Sequence, residues 1–245
     1  MAVLTFLGAD AVLAAQAASL PQPDQLCGPF AAHAALHAVL DHAQVPGMVR
    51  IAAASASAIW SHDVAGWRPA GAPLDRTGWD LLPTARDPEA SGTDAAGLAR
   101  GIAEVTGGAV AVVPVAGAGT DADPDAVAAL LVGIAGSEVP IGVVANVATG
   151  ALDPDRDWDV GHFVVLWAVD ATDPEGGRVA VADSYREGGD PGEPAGCRWV
   201  PLARLADAIG DAPGRGLLLL VRADHASVAT GLVTGAGLAS TIWST

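Results

Sequence analysis

Lysine is missing from this chain altogether: all 12 basic residues are arginine, set against 28 acidic ones, for a formal net charge of −16. A field of that sign repels nucleic-acid phosphates and anionic lipid headgroups, so nucleic acid is excluded as a partner. Long hydrophobic runs are lacking as well. Hydrophobic residues make up 51% of the chain, yet no stretch reaches the ~18 uninterrupted apolar residues of a spanning helix, and no membrane insertion is expected. Cysteine is scarce, with Cys27 and Cys197 the two present. That count excludes a disulfide framework and a cysteine zinc cluster, and a cytosolic chain keeps such thiols reduced. Aromatics amount to 4%, so the apolar bulk is alanine and valine. With the abundant Gly and Pro, the composition is that of a GC-rich genome and says more about codon usage than about function.

The 245 residues suit one domain, residues 1–245, with a proper hydrophobic core. Met1 to Leu20 is apolar, but it has no basic residue ahead of its apolar stretch and Asp10 interrupts it. Its charge pattern is wrong for export, so it is expected to belong to the folded domain and the protein to be cytoplasmic. Pro and Gly cluster at residues 66–92, 116–124 and 186–197, which read as loops. Helical spacing is expected from Cys27 to His42, from a Thr93 or Asp94 cap to about Val105, and from Asp123-Pro124-Asp125 to about Ile134. Short valine-rich runs then read as strands: Val110–Val115, Ile141–Val147, His162–Val169, Val179–Asp183 and Leu217–Val221. Helices first (about 1–108) and strands later (about 109–245) favour an α+β class with a mostly antiparallel sheet.

Chemistry concentrates in two blocks. Cys27 opens the first strong helix, where unpaired backbone N–H groups and the macrodipole favour thiolate over thiol. The same N–H groups suit an oxyanion, and Gln22 or Gln25 just upstream could add a second donor. A buried, inert cysteine is the bland alternative. The second block is Gly161-His162-Phe163, which puts a histidine at the mouth of a strand. Asp183 ends the next strand, 21 residues on. If those strands are antiparallel neighbours turning near residues 173–177, the carboxylate reaches the imidazole and fixes its tautomer. This is the nucleophile, base and orienting group of covalent catalysis.

Order and local sequence here resemble the papain-like cysteine peptidases that include the bacteriocin-leader (C39-type) peptidases and phytochelatin synthase. The matching residues are Gln22 or Gln25, Cys27-Gly28-Pro29, Gly161-His162-Phe163 and Asp183. The resemblance implies a papain-like fold, with the Cys helix in the N-terminal part and the sheet carrying His and Asp. It also implies peptide-bond chemistry through a Cys27 thioester, with no cofactor. In that reading Cys27, His162, Asp183 and Gln22 are catalytic, and Gln25, Gly28, Gly161 and Trp158 contact substrate. The chain departs from the pattern in two places: Gln22 precedes the cysteine by five residues where six is common, and Ser184-Tyr185 stands where the leader peptidases show proline.

The remaining signals are weaker. His33, His37 and His42 have helical spacing for a metal but no accompanying Glu, and read as solvated or core-edge histidines, so no metal is expected. Asp153, Asp155, Asp157 and Asp159 alternate before the histidine. Trp158 and Val164 stand where a calcium loop needs Gly and Glu, which excludes calcium. These aspartates could instead form an acidic rim attracting an amine-bearing or cationic peptide. Trp158 and Trp167, flanking the base, could line a pocket. Gly117-Ala118-Gly119 lacks the context of a nucleotide fingerprint, and Cys197 reads as structural. A standalone peptidase or acyl transferase of peptide natural-product maturation is the functional expectation. Its rival is a non-catalytic binding or scaffold protein retaining a papain-like fold.

Overall fold

The structure is a computed structural model that describes residues 3–117, 123–172, 176–211 and 214–243. Among these residues it is a mixed α/β protein built on one open seven-stranded sheet in which every pairing is antiparallel. The strands are β1 (Leu4–Thr5), β2 (Val110–Ala116), β3 (Gly142–Ala148), β4 (Gly161–Asp170), β5 (Arg178–Ala182), β6 (Cys197–Pro201) and β7 (Gly216–Arg222). They run in the order β2-β7-β3-β4-β5-β6, with β1 on the far end of β4. The helices are α1 (Ala9–Ser19), α2 (Cys27–Leu36), α3 (Met48–Ala54), α4 (Ala95–Val105), α5 (Pro124–Ala135), α6 (Thr149–Leu152), α7 (Leu202–Gly210) and α8 (Ala226–Gly235). None is long and apolar enough to cross a membrane.

Side-chain alternation divides the interior into two cores. Phe163 and Val165 of β4, with Leu218 and Leu220 of β7, pack against α2 and α4. Val164, Leu166, Leu217, Leu219 and Val221 turn to the other face and meet α5, α7 and α8. A sheet covered on both sides has no solvated face, which is why its central strands read as continuous apolar runs. Within the cover on the Cys27 side, α2 is rich in small residues. Ala31, Ala32, Ala34 and Ala35 of α2 are buried, and Gly142 of β3 lies so close beneath them that a Cβ there would sit 2.4 Å from the Ala35 carbonyl oxygen.

The expected strands fall within a residue of those observed. Asp94 and Asp123 cap α4 and α5 as expected, accepting from Gly97 N and Asp125 N. The α2 helix ends at Leu36, short of His42. From His37 to Val39 the amides reach back three residues instead of four, and the last turn tightens. The division into a helical first part and a strand-rich remainder is not clean, because α5 to α8 lie among and after the strands and form the second layer. Within the expected loop at 186–197, β6 begins at Cys197. The expected turn at 173–177 and the glycine stretch 117–119 lie partly outside the described residues.

Candidate active site

Cys27 is the first residue of α2. Leu26 precedes it as N-cap and makes no side-chain cap hydrogen bond, so first-turn N–H groups stay unclaimed by a capping side chain. The thiol is half-buried. Burial pushes its pKa up, but the hydrogen bond and charge of His162, with backbone hydrogen bonds from Phe163 and Gly28, pull it below its ordinary value. Gly28 leaves little room for anything larger, since a Cβ there would lie 3.3 Å from both Phe163 and Thr93.

His162 stands on β4 opposite Val147. The Val165–Ala182 pairing between β4 and β5, continued outward, sets Asp183 one diagonal step from His162, within reach of a long side chain. His162 Nε2 lies 3.1 Å from Asp183 Oδ1, which leaves Nδ1 as the nitrogen for the thiol proton. Asp183 is fully buried and ends up just past β5. Its Oδ1 also accepts from the Tyr185 backbone N–H at 3.1 Å, and its Oδ2 accepts from Arg198 Nη1 at 3.0 Å. Burial raises the carboxyl's pKa, while the charges and hydrogen bonds of His162 and Arg198 outweigh that and hold it well below the carboxylate range. Burial conversely disfavours a charged imidazole. Asp183 and then Cys27 reverse this, leaving His162 raised well above its ordinary value. The three groups together favour thiolate, imidazolium and carboxylate.

Gln22 is buried, lines the cleft and donates through Nε2 to the Tyr185 hydroxyl at 3.0 Å. An amide nitrogen carries two hydrogens, so one remains for a substrate oxygen. The Tyr185 hydroxyl in turn donates to Asp24 Oδ1 at 3.2 Å, and Asp24 Oδ2 holds Arg68 Nη1 at 2.6 Å. Gln25 is engaged elsewhere. Its amide clasps the Trp60 backbone at both ends, donating to the carbonyl at 2.9 Å and accepting from the N–H at 2.7 Å. That pairing leaves Gln25 a brace for the loop, although its residue still borders the cleft.

The cleft over Cys27 has a volume of about 670 Å³ and is lined among others by Gln22, Thr93, Asn146, Gly161, His162, Tyr185 and Arg215. Trp158 is not part of that lining. It packs edge-on against His162 with ring centroids 5.0 Å apart, behind the imidazole, and borders a separate cavity. Trp167 is paired with Trp199 instead, at 5.8 Å. The four alternating aspartates are likewise absent from the cleft: Asp157 and Asp159 line the second cavity, and Asp153 holds Arg156. The acidic groups that do border the cleft are Asp24, Glu89 and Asp94. His37 sits between His33 and His42 at 5.1 Å from each ring, and burial with both neighbours lowers its pKa to about 4. Among the described residues no group of three His, Cys, Asp or Glu is arranged to hold a metal.

Sequence reasoning missed Tyr185, Arg198, Asp24, Asn146 and Arg215. A buried arginine opposite a buried aspartate depends on the pairing of β5 with β6, where Ala182 faces Cys197, and no local pattern announces that. Tyr185 was visible only as a departure from the expected proline.

No curated protein and no solved structure matches this chain. A family model does, over residues 6–156 and 151–244. The two segments together take in both Cys27 and the His162–Asp183 pair, and by that coverage the chain belongs to the family of unknown function DUF6885.

Proposed function

We propose that this protein is a papain-like cysteine hydrolase or acyl transferase acting on a peptide or amide. The observation that carries the reading is the linked set of Cys27, His162 and Asp183. The thiol sits at a helix N-terminus and borders the same cleft as an imidazole that lowers its pKa and whose Nε2 is held by a buried carboxylate. Nucleophile, base and orienting group in that order are what acyl transfer through sulfur requires.

Cys27 Sγ, its proton held on His162 Nδ1, attacks the carbonyl carbon. Backbone N–H groups at the start of α2 and the spare amide hydrogen of Gln22 stabilise the resulting oxyanion. As the C–N bond breaks, the imidazolium gives its proton to the departing amine and a thioester remains. Water then adds to the thioester with His162 taking its proton, releasing acid and returning the proton to sulfur. An amine in place of water yields a new amide from the same residues. Asp183 stays ionised throughout and holds the imidazole in position, supported by Arg198.

The test is alkylation with iodoacetamide across pH, read by intact mass in wild type, Cys27→Ala and His162→Ala. Rapid modification of Cys27 well below the ordinary thiol pKa of about 8.5, lost in His162→Ala, is the expected result. Slow modification indifferent to His162 would sink the catalytic reading and leave a binding module.

A further inference from the structure

The two ends of the cleft differ in charge. At the Cys27 end, Gly28 abuts Thr93, and Asp94 follows it. At the His162 end stands Arg215, whose Nη1 would lie 2.8 Å from a Cβ on Gly161, the residue immediately before the base. Arg215 is the one Arg or Lys among the described residues that line the cleft. Its side chain is 14% exposed, and its bonding is sparse for five N–H donors. Nη1 donates to Asn146 Oδ1 at a long 3.4 Å. The buried Nε makes no hydrogen bond and has half-exposed Asp211 at a long 3.7 Å. A guanidinium largely removed from water and this weakly partnered is matched by a planar anion accepting two parallel hydrogen bonds.

We propose that Arg215, steadied by Asn146, is a carboxylate-binding subsite at the His162 end of the cleft. The substrate accordingly carries a free carboxylate on the amino-acid unit that departs as amine. The designation of this end as the leaving-group end rests on the cysteine hydrolase reading, because His162 is the group that protonates the departing amine. The subsite itself stands on Arg215 alone. In a chain of net charge −16, with Asp24, Glu89 and Asp94 on the same cleft, an anionic ligand is repelled at long range. A local cation is what admits it, and the acidic surroundings make the site selective for a carboxylate displayed at one position.

The probes are N-acetyl-alanyl-alanine and its C-terminal carboxamide, titrated into Cys27→Ala and read by ligand NMR line broadening. The free acid is expected to bind about tenfold tighter, as one charge-assisted bidentate contact provides. The advantage should vanish in Cys27→Ala/Arg215→Gln and survive in part in Cys27→Ala/Arg215→Lys. Equal affinity for acid and amide, an amide preference, no binding of either probe, or an acid preference untouched by Arg215→Gln each overturns the subsite. The comparison of acid with amide on Cys27→Ala needs no change at Arg215, so a misfolded variant does not obscure it. Since Cys27 is absent, an inert thiol would sink the hydrolase reading without altering this result. Loss of the acid preference would sink the subsite and leave the thiol chemistry standing.

Discussion

The chain holds the same functional group in two places and treats it in opposite ways. Cys27 begins a helix, borders an open cleft and meets an imidazole and two backbone N–H groups, which draw its pKa down. Cys197 begins a strand, is buried, and has the Ala195 carbonyl 3.9 Å from its sulfur. Burial, then the charges of Glu193 and Asp183, push that thiol up to about 12. Asp183 therefore acts on both: through His162 it helps make one sulfur anionic, and by proximity it keeps the other protonated. What separates the two thiols is chiefly that burial prevails at Cys197, whereas at Cys27 the imidazole and backbone hydrogen bonds outweigh it.

Removing the imidazole should erase most of that difference. In His162→Ala, Cys27 keeps its burial and loses its largest favourable partner, so its alkylation rate at pH 6.5 should fall about a hundredfold toward that of an ordinary or suppressed thiol. Intact-mass time courses measure it, and an unchanged rate would mean the helix N-terminus alone activates the sulfur. Arg198→Met attacks the shared carboxylate instead. It leaves Asp183 buried with His162 as its one charged partner, and urea denaturation should show a loss of about 3 kcal/mol.

The pH dependence of stability sharpens the comparison further. His162, raised in the folded state, contributes stability that is complete below about pH 6.5 and is lost as pH rises toward its folded value. Cys27, lowered in the folded state, contributes stability that is complete above about pH 8.5 and is lost as pH falls toward its folded value. Between those limits the two slopes oppose each other. In Cys27→Ala only the histidine slope remains, so stability should decline by up to about 1.4 kcal/mol per pH unit from about pH 6.5, more steeply than in wild type. Denaturation midpoints at pH 6.5, 7.5 and 8.5 decide it, and parallel curves would break the thiolate–imidazolium pair. The smallest effect belongs to the other sulfur. Cys197→Ser should cost about 1 kcal/mol of stability for a hydroxyl in an apolar position, and Cys27 should alkylate at its wild-type rate.

Much of the candidate site was legible because it lies in short continuous segments. Cys27-Gly28-Pro29 marks a helix start, and Gly161-His162-Phe163 marks a strand start, each from local composition. The Asp183 placement followed from strand length and antiparallel pairing. The supports were not legible. Arg198 stands just past the stretch 186–197 expected as loop, in a run for which no strand was expected, and its burial against Asp183 depends on a pairing that local sequence does not show. Trp158 was assigned to substrate by its nearness in sequence to His162, but the backbone enters β4 from behind and leaves the indole on the far side of the ring. Of the second-layer helices α5 was expected, whereas α6, α7 and α8 escaped notice for a different reason. Ala226–Gly235 is small and mixed in polarity, and its place is decided by the sheet face it covers.

The alanines of α2 and the glycine beneath them give the abundance of small residues a mechanical meaning. Where Ala35 is seated directly on Gly142, no long side chain stands between helix and sheet. The approach of α2 to β3 is there set by backbone against backbone, a hard stop in place of a compressible spacer. Gly142→Ala would act as a shim under the helix, lifting Cys27 away from β4 while every catalytic side chain remained in the sequence. The small residues that fill the composition thus also fix how closely the helix opened by Cys27 rests on the sheet.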